Sequence, residues 1–380
     1  MKDLPRIVLD ARPLTHPQTG GFRTYVRSLL TGLAERERDG LREFRLLIYT
    51  DRPLTGEAAA CLPESAEVRT LDCRRLRTDF RLFAEQVRRD RPDLVHGTMN
   101  YLPLGIRGAA TVTIHDAMGV RLYPWSFRVS RTARQWAMTA YWRGMTERSA
   151  RRAKGILTVS QGAAAELSRA LSLPAGSLTV VYNGISPPRT LDGPPRAHDV
   201  VLMMASSDRR KNPEVVYRAM VEERRRWSQG AELRVVCGDR RTADRAEAVL
   251  REGRAERFRV LVTPGDGDLS RLYSQATVFV WSSRHEGFGL PPLEAMGAGC
   301  PVLSSSAPVM PEILGEAPRY FDPECPAQLA TELDALLSSP TERAERGVAG
   351  RRQAAEYSCR RMAEGTVDFW RRAIVGAGGS

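Results

Sequence analysis

Two glutamates flank a glycine-containing turn in WSSRHEGFGLPPLEAMGAGCPVLSS, the segment from Trp281 to Ser305. Glu286 lies at the turn and Glu294 lies one turn into the predicted helix that follows. Gly287 and Gly289 permit backbone angles closed to other residues, and the helix N-terminus is suited to a phosphate. The chemistry indicated is the binding of a phosphorylated sugar compound. A bare pair of glutamates that only caps nearby amides is the alternative, because two-residue patterns often occur by chance.

A second group of charged residues lies in SSDRRKNP, from Ser206 to Pro213, directly after a predicted strand. Arg209, Arg210 and Lys211 are basic side chains that could hold a phosphate group. Lys211 is one of only three lysines among the 57 basic residues, and an arginine in its place would hold a phosphate differently. A basic turn before a helix, in a protein that is basic throughout, is the alternative interpretation.

Two weaker patterns lie in the N-terminal half of the chain. TIHDAMGV, from Thr113 to Val120, places His115 and Asp116 at the end of a predicted strand, where a histidine is more often structural. Gly20 and Gly21 form a predicted turn before an amphipathic helix, and turns need such residues for conformational reasons alone.

The elements that must position these residues are short apolar runs separated by amphipathic stretches. The first series of predicted strands is Ile7 to Ala11, Phe44 to Thr50, Asp93 to Gly97, Ala110 to Asp116, Gly155 to Ser160 and Leu178 to Tyr182. The second series is Val200 to Ala205, Leu233 to Gly238, Phe258 to Thr263, Thr277 to Trp281 and Pro301 to Ser304. Each series predicts a mostly parallel sheet with helices on both faces, in an α/β protein.

The chain length of 380 residues suits two domains. We predict an N-terminal domain over 1–184, a linker over 185–198, a second domain over 199–356 and a C-terminal helical segment over 357–380 that crosses back to the first domain. The linker prediction rests on ISPPRTLDGPPRAH, which holds four prolines and no apolar periodicity. Ligands of such folds bind beyond the carboxyl ends of the strands, so a cleft between the domains is the expected site.

The composition excludes several classes of protein. No apolar run is long enough for a membrane span, and no signal-peptide core precedes Ile7, so we expect a soluble cytoplasmic protein. The six cysteines are scattered without a C-x-x-C, which argues against zinc and a disulfide framework. The net charge of +12 suits nucleic acid, an anionic membrane or a phosphorylated substrate, and does not choose among them.

Two patterns have competing interpretations. Asp266-Gly267-Asp268 matches a metal-binding D-x-D, but Asp268 is placed to cap the helix that follows, and we predict no metal site. The basic stretch from Arg128 to Lys154 contains Trp136 and could lie on an anionic membrane surface or be a solvated helix.

The segment from Trp281 to Ser305 resembles the nucleotide-binding signature of the retaining GT-B glycosyltransferases of family 4. Upstream, DLSRLYSQATVFVWSS resembles the family's preceding helix and strand, with Ser282 where many members have proline. Downstream, Pro311–Glu312 and Asp322–Pro323 match the family's Pro-Glu and Asp-Pro markers. The resemblance covers nearly the whole chain.

The resemblance implies a GT-B fold, with two Rossmann-like doubly wound domains facing across a cleft. It implies a metal-independent transferase without a cofactor, which retains the configuration of a hexose taken from a nucleotide diphosphate sugar. GDP-mannose and UDP-hexoses are the expected donors. The expected acceptor is a glycan, a lipid-linked sugar or a small metabolite, and no nucleic-acid partner is expected.

The resemblance assigns catalytic roles to His115, Asp116, Lys211 and Glu286. It assigns donor contacts to Gly20, Gly21, Arg209, Arg210, Lys211, Glu286, Gly287, Phe288, Gly289, Leu290 and Glu294. Glu286 would contact sugar hydroxyls, Glu294 the ribose, and Lys211 the diphosphate with Arg209 or Arg210. His115 would face the sugar and acceptor, with Asp116 orienting it or contacting the acceptor.

Three other functions remain open at this point. A nucleotide-sugar epimerase and a phosphorylase share the GT-B architecture, although a phosphorylase needs a pyridoxal-binding lysine. A non-catalytic protein that binds nucleic acid or membranes would explain the charge alone, and its binding would collapse with salt.

Overall fold

The structure is a computed structural model. It describes residues 4–16, 20–71, 81–121, 133–174, 176–186, 199–222, 230–253, 255, 257–262 and 264–375. The chain divides into two compact units, one formed by Met1–Gly184 with Tyr357–Ser380 and the other by Ile185–Glu356. Residues 187–198 of the predicted linker, 128–132 of the basic stretch and 376–380 lie outside the described residues.

The first unit contains a parallel seven-stranded sheet in the order β3-β2-β1-β4-β5-β6-β7. Its strands are β1 (Arg6–Asp10), β2 (Arg45–Thr50), β3 (Glu67–Thr70), β4 (Leu94–Gly97), β5 (Ala110–Thr113), β6 (Gly155–Thr158) and β7 (Leu178–Val180). Its helices up to β7 are α1 (Gly21–Arg38), α2 (Glu57–Ala60), α3 (Phe83–Asp90), α4 (Ala133–Arg152) and α5 (Gln161–Leu171). Branched apolar residues of neighbouring strands form one core, among them Val8, Leu47, Val95, Val112 and Ile156.

The second unit contains a parallel six-stranded sheet in the order β10-β9-β8-β11-β12-β13. Its strands are β8 (Val200–Ala205), β9 (Glu232–Cys237), β10 (Phe258–Val262), β11 (Val278–Trp281), β12 (Val302–Ser305) and β13 (Arg319–Phe321). Its helices are α6 (Pro213–Glu222), α7 (Arg240–Glu252), α8 (Asp266–Gln275), α9 (Leu290–Gly297), α10 (Met310–Leu314), α11 (Pro326–Ser338) and α12 (Pro340–Ala355). The core contains strand residues, among them Val201, Met203, Val235, Val280 and Leu303, and apolar residues of the helices that pack on the sheet.

The last helix, α13 (Cys359–Val375), belongs to the first unit. It packs on α1, where a Cβ at Gly32 would lie 1.9 Å from the carbonyl oxygen of Cys359. Glycine at this position therefore allows the two helices to approach closely. Trp370 of α13 is buried in the first unit and stacks edge-on against His96 of β4 at 5.5 Å.

The α/β class and the two Rossmann-like sheets predicted from the sequence are confirmed. The predicted strand from Ala110 to Asp116 is too long, because β5 ends at Thr113. The strands β3 and β13 were not predicted, since both are short edge strands with half-buried polar residues and lack an apolar run. No helix in the described part of the chain is both long and apolar enough to span a bilayer.

Candidate functional site

The basic residues Arg209–Lys211 form a short 3-10 turn after β8, here called the cation turn. Asp208 caps this turn, since its Oδ1 accepts a hydrogen bond from the backbone nitrogen of Arg210 at 2.9 Å. Asn212 ends the turn with a positive φ of 50°, which asparagine tolerates, and its Nδ2 donates to the carbonyl of Pro323 at 2.7 Å. These contacts hold the cation turn at the carboxyl end of the sheet, where doubly wound folds bind ligands.

The residues Ser282–Gly289, here called the signature loop, connect β11 to α9. Its first two serines are buried, and the backbone nitrogen of Arg284 donates to the carbonyl of Arg210 at 2.8 Å. The loop therefore packs directly against the cation turn, and it brings Glu286 to Arg210 and Lys211.

Glu286 is held between two cations. Its Oε1 accepts from Lys211 Nζ at 2.7 Å and its Oε2 accepts from Arg210 Nη1 at 3.0 Å. Burial opposes ionisation of this carboxyl, but the positive charges of Lys211 and Arg210 outweigh burial and hold the pKa of Glu286 below its usual value. The Lys211 ammonium also lies 4.5 Å above the ring of Trp281, a cation–π contact that restricts the lysine further. Arg210 also donates from Nε to Asp208 Oδ2 at 3.2 Å, so the site holds a compact cluster of two positive and two negative charges.

The signature loop ends in a glycine with a positive φ angle. Gly289 has a φ of 97° and precedes the first residue of α9, Leu290, without any side-chain cap on the helix. A Cβ at Gly289 would lie 2.7 Å from Cε of Met310, so glycine fits this position both conformationally and sterically. Gly287 and Phe288 are buried beside it. The uncapped N-terminus of α9 is suited to an anion, next to the positive side chains of the cation turn.

Glu294 lies one turn into α9 and is half-buried. Its Oε2 accepts a hydrogen bond from the hydroxyl of Tyr273 in α8 at 3.3 Å. Tyr273 is 2% exposed and packs edge-on against Phe279 of β11, with ring centroids 5.4 Å apart. Burial, with the charge of Glu294 as a smaller cause, raises the pKa of Tyr273 well above 10, so the tyrosine stays a donor.

The structure brings together the predicted cluster in the second unit. Arg210 is the arginine that contacts Glu286, whereas the side chain of Arg209 is exposed. Which of these two arginines holds the diphosphate with Lys211 stays a prediction. Lys211 and Glu286 lie together although 75 positions separate them in the chain.

His115 lies in the first unit, after the end of β5. Its Nε2 lies 2.9 Å from the carbonyl oxygen of Thr98, and because a carbonyl only accepts, Nε2 carries the proton. The rings of Phe22 and Tyr25 meet the imidazole edge-on at 4.9 Å and 4.6 Å. Burial lowers the pKa of His115, and the bond to Thr98 and the charge of Asp116 oppose this shift without cancelling it. His115 is therefore neutral at pH 7.

Backbone contacts fix the chain on both sides of His115. Asn100, a non-glycine residue with a φ of 65°, accepts a hydrogen bond from the backbone nitrogen of His115 at 2.7 Å. Asp116 accepts from the backbone nitrogen of Met118 at 2.9 Å and so forms a local turn. Asn100 was not selected from the sequence, and a polar residue in the strained left-handed region after a strand is the signal that points to it.

Gly20 and Gly21 lie at the N-terminus of α1. Gly20 has an extended backbone with φ of 173°, and a Cβ at either glycine would meet no atom within 4 Å in the described structure. The fold of the first unit therefore does not require glycine at these two positions. The preceding Gln18 and Thr19 of the predicted turn lie outside the described residues.

A buried ion pair at the end of β1 was also missed. Arg12 donates from Nε to Asp10 Oδ1 at 2.8 Å and from Nη2 to Asp10 Oδ2 at 2.6 Å, in a bidentate pair. Asp10 is fully buried, and its backbone carbonyl accepts a hydrogen bond from the hydroxyl of Thr98 at 2.6 Å. Thr98 is also the residue whose carbonyl contacts His115. Two charged residues two positions apart after an apolar strand are the sequence signal for this pair.

The predicted N-cap role of Asp268 is wrong. The helix α8 begins at Asp266 with Gly265 as its N-cap, so Asp268 lies within the first turn. An acidic side chain is also favourable there because of the helix dipole. Among the described residues, no three His, Cys, Asp or Glu side chains come together as metal ligands.

Two family models match successive parts of the chain. Residues 19–189 match "Glycosyltransferase Family 4" and residues 193–353 match "Glycosyl transferases group 1". The chain is 27% identical to the O-antigen chain mannosyltransferase B of Escherichia coli over 96% of this chain and 99% of that protein. It is 27% identical to the O-antigen chain mannosyltransferase RfbU of Salmonella typhimurium, over 56% of this chain and only 57% of that relative's length.

Solved structures share the fold across the whole chain. Sucrose-phosphate synthase from Thermosynechococcus elongatus superimposes with a TM-score of 0.77 at 20% identity, covering 98% of this chain and all of that one. Anabaena Alr3699/HepE in complex with UDP-glucose gives a TM-score of 0.72 at 16% identity, covering 97% of this chain and all of that one. Both matches extend over the two sheets, as expected for the GT-B fold. The chain therefore belongs to the family 4 glycosyltransferases of group 1.

Proposed function

We propose that this glycosyltransferase takes a hexose-type sugar from a nucleoside diphosphate sugar, which its second unit binds. The observation that carries the proposal is the cluster of Arg210, Lys211 and Glu286 beside the uncapped N-terminus of α9. Two cations and a helix N-terminus suit a diphosphate, and a buried ionised carboxylate suits sugar hydroxyls as an acceptor of hydrogen bonds.

Each group then has a chemical task. Lys211 and Arg210 hold the diphosphate and stabilise the charge that grows on it as the sugar leaves. Glu286 accepts hydrogen bonds from hydroxyls of the transferred sugar, and the backbone from Gly287 to Leu290 approaches the sugar and phosphates. Glu294 accepts hydrogen bonds from the ribose. Transfer with retention of configuration, without a metal or a cofactor, is part of the same proposal.

The proposed donor is GDP-mannose or a UDP-hexose, and the relatives support both classes. The two O-antigen relatives carry mannosyltransferase names, which favours a GDP-mannose donor here. The structural neighbour bound to UDP-glucose supports a UDP-hexose donor. We expect GDP or UDP rather than dTDP to bind, since both of these donors carry a ribose that Glu294 can bind.

The first unit supplies the acceptor-binding residues in this proposal. The neutral imidazole of His115 is fixed by Thr98, so its Nδ1 lone pair has a defined direction for a hydroxyl donor. The acceptor classes are a glycan, a lipid-linked sugar or a small metabolite. The exposed Trp136 of α4 shares one side of the helix with Arg143, seven positions further on, and this side favours contact with the anionic cytoplasmic face of a membrane.

Calorimetric titration with UDP, GDP, dTDP and their sugars, with and without EDTA, tests the donor site. We expect one ribonucleotide to bind, EDTA to have no effect, and Lys211→Met to weaken binding by about tenfold or more. Lys154→Met removes the same charge from the other unit and serves as the control. Binding that ignores every nucleotide sugar and collapses with salt would instead favour a nucleic-acid or membrane-binding protein.

A further inference from the structure

The signature loop holds the cation turn by its carbonyl groups. The three consecutive carbonyl oxygens of Arg209, Arg210 and Lys211 each accept a hydrogen bond from this loop. Arg284 Nη1 donates to the first at 3.2 Å, Arg284 N to the second at 2.8 Å, and Ser282 Oγ to the third at 2.9 Å. The loop and the turn therefore run in opposite chain directions and are joined by three hydrogen bonds.

The joined backbone also carries the charged side chains. The signature loop bears Glu286, and the cation turn bears Arg210 and Lys211, so the backbone bonds fix the distance between the carboxylate and both cations. Ser282 is only 3% exposed, and a buried carbonyl without a donor is costly. The Ser282 hydroxyl thus sets the backbone of Lys211 in a place where water has little access.

Ser282 makes its bond to the carbonyl of Lys211 from its side chain, as Arg284 does to the carbonyl of Arg209. The Ser283 hydroxyl has one proton and lies near two carbonyl oxygens, those of Arg210 at 3.1 Å and His285 at 3.0 Å. The bond from Arg284 to the carbonyl of Arg210 comes from the backbone nitrogen of Arg284, so it survives any substitution of the Arg284 side chain except proline. The bond from Ser282 to Lys211 is lost when the hydroxyl is removed.

We propose that Ser282 is a positioning residue for donor binding, which fixes Lys211 so that its ammonium group is already in place when a diphosphate arrives. The inference rests on the proposed function, in which Lys211 holds the donor diphosphate. Ser282 itself touches no substrate. Its effect is to remove the cost of ordering the cation turn during binding, which is preorganisation.

This role makes a selective prediction. Loss of the Ser282 hydroxyl should weaken the contact with the terminal phosphate and leave the base and ribose contacts unchanged. We expect Ser282→Ala to bind a nucleoside diphosphate about fivefold to tenfold more weakly, and the matching monophosphate within about twofold of the wild type. Ser282→Cys fills the same space with a weak donor and should behave like Ser282→Ala, whereas Ser282→Thr keeps the hydroxyl and should restore binding.

The test is calorimetric titration of the full chain with UDP and UMP, and with GDP and GMP. Ser304→Ala is the control, since Ser304 is a fully buried serine of the neighbouring strand β12 whose hydroxyl donates to the carbonyl of Ser305 at 3.0 Å. Equal losses for mono- and diphosphate in the Ser282 variants, or no loss for either, would overturn the proposal.

Lys211→Met separates this inference from the proposed function. If Lys211→Met lowers the preference for the diphosphate over the monophosphate and Ser282→Ala does not, only the positioning role fails. If Lys211→Met leaves that preference unchanged, the diphosphate assignment fails and the positioning role fails with it. Should Ser282→Ala not fold, Ser282→Cys and Ser282→Thr carry the same comparison with the cavity filled.

Discussion

The ammonium nitrogen of Lys211 lies 2.7 Å from Oε1 of Glu286, while Arg210 holds the other oxygen of the same carboxylate. The carboxylate is therefore a counter-ion for the cations that we assign to the diphosphate. A diphosphate that binds these cations competes with Glu286 for them. The displaced carboxylate is then available to accept hydrogen bonds from the sugar.

This competition gives Glu286→Gln two opposite effects. Without the negative charge, the free nucleoside diphosphate should bind about fivefold more tightly, a gain of roughly 1 kcal/mol. Sugar transfer should fall by about 100-fold, because the amide accepts sugar hydrogen bonds less strongly than the carboxylate does. Calorimetric titration with the diphosphate and a transfer assay with its sugar measure the two effects.

Glu252→Gln is the matched control for charge. Glu252 is an exposed glutamate at the end of α7, so its substitution changes the net charge equally and leaves the signature loop and the cation turn as they are. If Glu286→Gln weakens diphosphate binding as Lys211→Met does, the carboxylate does not compete with the ligand.

The hydroxyl of Tyr273 in α8 is expected to strengthen the preference for ribose over deoxyribose. Tyr273 donates to Glu294 at 3.3 Å, and Tyr273→Phe removes this donor while keeping the ring against Phe279. We expect the preference for a ribonucleoside diphosphate over its 2′-deoxy analogue to fall by about threefold, because Glu294 becomes less well oriented.

Competition binding of the two nucleotides measures this ratio. Tyr217→Phe removes a hydroxyl from a buried tyrosine in the core of the same unit, away from Glu294, and should leave the ratio unchanged. An unchanged ratio in Tyr273→Phe would show that the hydroxyl does not orient Glu294.

The glycine before α9 should be essential for stability. Gly289→Ala forces a side chain into a φ of 97° and brings its Cβ to 2.7 Å from Met310 Cε. We expect the free energy of unfolding, measured in urea, to fall by about 1–3 kcal/mol. Gly238→Ala, where a Cβ meets no atom within 4 Å, should change it by less than about 0.5 kcal/mol. Equal losses in both variants would contradict a special role for the backbone at Gly289.

The sequence was sufficient where a local pattern decides the structure. The apolar runs at β8 and β11 predicted where these strands lie, and parallel strands place their carboxyl ends at one edge. Lys211 and Glu286, which lie in the loops that follow these two strands, could therefore be expected to meet. The left-handed angle at Gly289 also follows from a local pattern, because a glycine stands just before a proline-started helix.

The sequence was insufficient where partners are distant and the contact depends on side-chain geometry. The bond from Tyr273 to Glu294 joins two helices, and the bond from Ser282 to Lys211 depends on how the signature loop packs against the cation turn. The pair of Asp10 and Arg12 is close in sequence, but its burial depends on the surrounding side chains of the first unit. No periodicity distinguishes such residues from ordinary surface polar residues.

Two histidines of the first unit should make the protein less stable in acid. Burial lowers the pKa of His96 to about 3, and burial likewise lowers the pKa of His115 below its ordinary 6.5. Below pH 6.5 the unfolded chain therefore binds protons that the folded chain does not. Each histidine makes the free energy of unfolding fall by about 1.4 kcal/mol per pH unit between 6.5 and its folded pKa.

His115→Gln removes one of these two contributions while keeping an amide donor for the Thr98 carbonyl. Urea unfolding at pH 8 and pH 5 should thus show a smaller loss of stability in His115→Gln than in the wild type. Glu286 does not interfere, because its lowered pKa keeps it ionised in the folded protein over this range. An equal loss in His115→Gln and the wild type would mean that folding does not lower the pKa of His115.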